Sequence, residues 1–155
     1  MKSVGNGGFS LRSQRLLQAG LDARIRDEHP EDAVLCRQYR ALLEKEHGVR
    51  FAPPAVARHF TYENETPLAS TFGFHGPKNL AAVLDGETLL QWLDALPDDF
   101  FRGRDARRLA RALLRHGEPR VASALIRRRH AAGRRDAKTR VMGWVAAAMA
   151  RFARP

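Results

Sequence analysis

Three short stretches of this 155-residue chain hold residue types that chemistry could use. The first is Gly5-Asn6-Gly7-Gly8-Phe9-Ser10-Leu11-Arg12-Ser13. Three glycines in four positions give a backbone that can take positive φ or let another group approach closely. A loop of bare amides ahead of a helix suits a polar or anionic ligand, and the same spacing also makes a tight strand-to-helix turn. The G-x-G-x-x-G spacing is absent and no Gly-Lys-Ser/Thr follows, so neither a dinucleotide fingerprint nor a P-loop is present. The second stretch is Glu31-Asp32, after His29-Pro30. Paired acids at a helix start complement the helix dipole, and a carboxylate at the mouth of a pocket can take a proton from a hydroxyl. The third is Phe72-Gly73-Phe74-His75-Gly76. Its flanking glycines can bring the His75 imidazole close to a bound group, and neutral imidazole is a common ligand of divalent metals.

Periodicity gives the helices and strands that carry these residues. The spacing predicts a very short extended start at Lys2-Ser3-Val4 and a helix from Ser13 to about Ala23 with Leu16, Leu17 and Leu21. A second helix opens at Pro30-Glu31-Asp32, carries Val34, Leu35, Tyr39, Leu42 and Leu43, and ends at Gly48. Val49-Arg50-Phe51-Ala52 is a strand candidate, residues 55–59 a helical turn, Phe60-Thr61-Tyr62-Glu63 an extended segment, residues 71–76 strand-like and residues 79–84 a short helix. From Glu87 the pattern is helical throughout. Leu89, Leu90, Trp92, Leu93 and Leu96 share one face before Pro97. Helices over residues 105–115, 119–132 and 137–153 come next, separated by Gly117 and Gly133. In the last, Val141, Trp144, Val145, Ala148, Met149 and Phe152 form an apolar stripe expected to face the core. Short glycine-bearing turns between helices of this length read as a helical hairpin array.

Charge divides the chain along the same line. Residues 102–155 hold 16 lysines and arginines against three acids, a net of +13. The preceding residues hold 11 basic and 14 acidic side chains, a net of −3, so two modules with different surfaces are expected. The run Arg127-Arg128-Arg129, with His130, Arg134 and Arg135, reads as a solvated helix face, and such runs also attract phosphates or anionic lipid. No aromatic-interleaved RNA motif accompanies it, so nucleic acid is not an expected partner. Cys36 is the single cysteine, which excludes an internal disulfide or a cysteine-built zinc site; it falls on an apolar rhythm and is expected to be buried. No long uncharged apolar run suggests a membrane span, and no signal-peptide core is evident. These features point to a cytoplasmic setting, with peripheral membrane contact open to the basic helices.

Taken in order, GNGGFSLRS, HPED with VLCRQYR, GVRFAPPAVARHFTYE and FGFHG resemble a family of bacterial glycosyltransferase-like proteins of the GT-A type. The resemblance covers roughly residues 4–80. It implies a small, incomplete GT-A-like α/β portion with short strands over residues 1–86; with the all-α basic module that spacing gives for residues 87–155, an α+β to mostly α chain is expected. In that family a nucleotide-binding half carrying Asp-x-Asp comes first and the acceptor half second. This sequence resembles the second half and contains no Asp-x-Asp. By the resemblance, Gly5, Asn6, Gly7, Gly8, Phe9, Ser10 and Arg12 line the donor-sugar and acceptor pocket. Glu31 and Asp32 are the acidic pair beside the acceptor, Asp32 being the base of an inverting transfer. His75 completes the shell of a manganese or magnesium ion on the nucleotide sugar. A sheet lacking its other half would expose strand edges, so self-association or a partner is expected. The alternative is a non-catalytic adaptor whose basic helices hold an acidic protein, a membrane surface or nucleic acid.

Overall fold

The computed structural model describes residues 8–26, 29–64 and 69–152. Within them the chain is mostly helical, with two short strands, and it divides into two compact units, Met1–His75 and Gly76–Pro155. The division lies before the expected 86/87 boundary. The physical reason is a 3₁₀ turn over Pro77–Ala82 that packs against a helix of the second unit and lends Ala81 to its core.

In the first unit, α1 (Gln14–Ala19) starts where the Ser13 hydroxyl accepts a hydrogen bond from the Leu16 amide at 3.2 Å. It stops at Gly20, short of the expected Ala23. Leu17 and Leu21 stay exposed, while Ala19 is buried. The expected second helix is broken into α2 (Glu31–Ala33), a wide π-type turn over Val34–Gln38, and α3 (Arg40–Lys45). The Tyr39 amide donates to the Val34 carbonyl five residues back, and the Tyr39 hydroxyl accepts from the Arg26 amide at 3.3 Å. The extra residue in that turn rotates α3 by about 100° relative to an unbroken helix, and Leu43 ends fully buried with Ala19 and Val49. Gly48, at φ +62°, turns the chain after α3 as expected. Val49 to Ala52 forms no ladder; Val49 spends its side chain on this small core instead. Cys36 is only half-buried, contrary to expectation.

Helix α4 (Pro54–Phe60) leads directly into β1 (Thr61–Tyr62), which pairs in parallel with β2 (Gly73–Phe74) in the register Thr61↔Gly73, Tyr62↔Phe74. The Phe72 amide donates to the His59 carbonyl and the His75 amide to the Tyr62 carbonyl, both at 2.9 Å. These bonds lock the FGFHG stretch beside the end of α4. The strand expected at Lys2-Ser3-Val4 lies outside the described residues.

The second unit holds α5 (Gly86–Ala95), α6 (Asp98–Arg102), α7 (Arg104–Arg115), α8 (Pro119–Ala131) and α9 (Ala137–Phe152). Asp85 caps α5 through the Thr88 amide and hydroxyl, both at 2.8 Å. Gly117 and Gly133, at φ +75° and +87°, end α7 and α8 and let the next helix fold back each time. Leu89, Leu93, Phe101, Leu109, Leu113 and Leu125 are buried between the helices.

Two expectations fail here. Arg129, read as part of a solvated face, is 3% exposed. Its guanidinium donates to the carbonyls of Phe101 and Gly103, each at 2.6 Å, to the Thr139 hydroxyl at 3.0 Å and to the Asp136 carboxylate at 3.2 Å. A buried cation survives only with such a full set of acceptors. The second failure is the face of α9. Thr139, Met142 and Ala146 are its buried residues, whereas Val141, Trp144, Val145 and Phe152 point to water.

Candidate functional site

Within the first unit, residues 8–12 touch the FGFHG stretch through Gly8 and Phe9 and the acidic helix start through Arg12. Gly5, Asn6 and Gly7 lie outside the described residues. Gly8 rests against His75 so closely that a Cβ on Gly8 would fall 1.9 Å from the imidazole Nε2. A side chain at Gly8 would have to displace the imidazole. The next residue, Phe9, covers Gly73, where a Cβ would lie 2.6 Å from the Phe9 ring. Phe9 also stacks nearly parallel on Phe60 at 5.3 Å and on Phe72 at 6.2 Å, and Phe60 and Phe72 stack at 5.7 Å. Phe72 is 77% exposed, so the stack offers an aromatic ring to solvent.

At the other end of the loop, the Ser10 hydroxyl accepts from Arg12 Nε at 3.2 Å. The Arg12 guanidinium forks onto both carboxylate oxygens of Glu31, with Nη2 to Oε2 at 3.0 Å. That bidentate bond holds the Glu31 carboxyl below its usual range and raises the Arg12 guanidinium. A carboxylate so engaged is a poor proton acceptor. Its neighbour Asp32 is half-buried and has no hydrogen bond or ion pair among the described residues. One turn on, burial first and the Asp32 charge second push the Cys36 thiol up, so the cysteine is a poor nucleophile.

Beside the Arg12–Glu31 pair lies a cleft of about 290 Å³ lined by Arg12, Leu16, Ile25, Arg26, Glu31 and Leu35 among others. It combines an apolar floor with two guanidinium groups and one carboxylate, the mixture that orients a small polar ligand. Asp32 and His75 are not among its lining residues. Arg26, and the phenylalanine stack, were missed in the sequence. Arg26 sits in a charged, aperiodic stretch, and nothing in the spacing of Phe9, Phe60 and Phe72 predicts that they meet.

The fit of a divalent metal can be tested on the donor set. Among the described residues no group of three or more His, Cys, Asp or Glu side chains could hold one ion. His75 offers a single imidazole, and the described residues do not by themselves make a metal site. Among the described residues, no helix is long and apolar enough to cross a membrane.

Comparison with known proteins bears on the first unit alone. No curated protein and no solved structure matches the chain. Residues 1–75 match a family described as "Protein of unknown function (DUF5672)", and the match ends at His75, where the first compact unit ends.

Proposed function

We propose that the first unit is the acceptor-side portion of a glycosyltransferase-like protein, which holds a glycan hydroxyl for transfer from a nucleotide sugar. The observation that carries the reading is that one short segment, residues 8–12, touches two distant stretches: Gly8 lies on His75 and Phe9 on Gly73 and Phe72, and Arg12 binds Glu31. Each has the chemistry a sugar requires. The exposed Phe72 ring matches the flat C–H face of a pyranose. Arg12 and Arg26 donate to hydroxyl or phosphate oxygens.

In the reaction, the acceptor oxygen bonds to the anomeric carbon while the bond from that carbon to the diphosphate oxygen breaks. The nucleoside diphosphate leaves with the electron pair, and the hydroxyl proton passes to Asp32. Glu31, already engaged by Arg12, positions the loop and is not the base. The nucleotide is left to groups other than those described, since no Asp-x-Asp occurs in the sequence.

Saturation-transfer NMR with a panel of mono- and disaccharides, in parallel with calorimetry against nucleotide sugars with and without manganese, tests the reading. Saccharide contacts that vanish in Phe72→Ala and Arg12→Ala are expected. A panel with no binder, or binders indifferent to both substitutions, would overturn it.

A further inference from the structure

The apolar surface of helix α9 extends well beyond its buried side. At about 100° per residue, Met142 and Ala146 fall on the buried side, and Val141, Trp144, Val145, Ala148 and Phe152 fall on an arc of about 100° that turns away from it. This outer stripe runs along about two thirds of the helix, roughly 16 Å. It faces water: Trp144 is 73% and Phe152 90% exposed. Large aromatic side chains aligned on one open face cost solvation and mark a surface that meets something apolar.

The charges around the stripe indicate what that is. On the helical wheel Lys138 lies on one flank and Arg140 and Arg151 on the other, all exposed, and residues 137–152 contain no acid. Residues 102–155 carry a net charge of +13. Long cationic side chains beside an apolar stripe reach outward to lipid headgroups while the stripe enters the acyl boundary. Nucleic acid would satisfy the cations and leave Trp144 and Phe152 in water. A partner helix would meet the apolar depression lined by Val145, Ala148, Met149 and Phe152; Trp144 flanked by Arg140 and Arg151 is the arrangement of a helix at a lipid headgroup boundary.

We propose that the outer face of α9 lies on an anionic membrane surface and makes the protein a peripheral membrane protein. The inference is independent of the sugar-transfer reading, which concerns the first unit.

The test is flotation of the full chain with phosphatidylcholine vesicles, and with vesicles in which about a third of the lipid is phosphatidylserine. Fluorescence of Trp144 is recorded in a Trp92→Phe background. Binding to the anionic vesicles alone, weakened by salt, with a blue shift of Trp144, is the expected result. Trp144→Ser with Val145→Ser lowers the partition coefficient at least about tenfold, and Arg140→Gln with Arg151→Gln lowers it less and flattens the salt dependence. These side chains are exposed, and circular dichroism checks that the variants keep their helices. Absence of binding to anionic vesicles at low salt would overturn the proposal. So would binding that ignores the serine substitutions, which would reduce the contact to charge alone. A stripe-dependent dimer that does not float would reassign the face to self-association, and stripe-dependent retention of an acidic protein without flotation would reassign it to that partner.

Discussion

Replacement of Arg129 by methionine tests whether a buried cation holds the second unit together. Methionine keeps the length of the apolar stem, so the change isolates the guanidinium. Arg129 serves four acceptors. The Phe101 carbonyl is buried and loses a 2.6 Å bond outright; an orphaned buried carbonyl costs about 1–3 kcal/mol. The Gly103 carbonyl is partly accessible, so water recovers some of its bond. The Thr139 hydroxyl keeps Asp136 as its partner at 2.8 Å and loses little. The Asp136 side chain is 38% exposed, so its ion pair adds only a small, screened part. The sum is about 3 kcal/mol, at the lower end of what removing one partner of a buried polar network costs. In a unit of this size that lowers Tm by roughly 10–20 °C. Both tryptophans, Trp92 and Trp144, lie in the second unit, so their fluorescence during urea unfolding reports on it alone. Arg127→Met is the control: it removes the same charge from an exposed position and should stay within about 0.5 kcal/mol of the parent. Should the two variants unfold at the same urea concentration, the guanidinium is not the tie between α6, α8 and α9.

Other perturbations probe other contacts. Asp136, held mainly by the Thr139 hydroxyl, titrates at about 2 instead of the ordinary 3.8. Its contribution to stability is therefore complete above about pH 4 and is lost as pH falls toward 2; Asp136→Asn should remove that acid-sensitive part from urea midpoints measured across the window. Gly73→Ala drives a methyl into the Phe9 ring and should disperse the ring-current shifts of Phe9, Phe60 and Phe72 in NMR spectra while leaving the second unit unchanged. Gly48→Ala combines a left-handed φ of +62° with a Cβ 2.9 Å from Arg15 Nη1, and should destabilise the first unit by about 1 kcal/mol or more in hydrogen exchange. Gly8→Ala, aimed at the His75 imidazole, should shift the His75 ring resonances and, on the proposed function, abolish saccharide contacts at Phe72.

Local physics sets the part of this protein that was legible in the sequence. The helices of the second unit, their glycine stops at Gly117 and Gly133 and the turn at Gly48 come from spacing and from the freedom of glycine at positive φ. The surroundings of each helix were not legible. The stripe of Val141, Trp144, Val145 and Phe152 has helical period, and period fixes that residues share a face without saying whether that face meets the core. The π-type turn at Val34–Gln38 broke a continuous pattern because tertiary contact at Tyr39 outweighed local propensity. Arg129 looked like its neighbours Arg127 and Arg128, since burial of a cation depends on acceptors from α6 and α9 that no local window contains. The same holds for the candidate site. Glycine, acid and histidine were visible as residue types. Gly8 against His75 and Arg12 on Glu31 are meetings between positions far apart in the chain, and they exist only once the chain has folded.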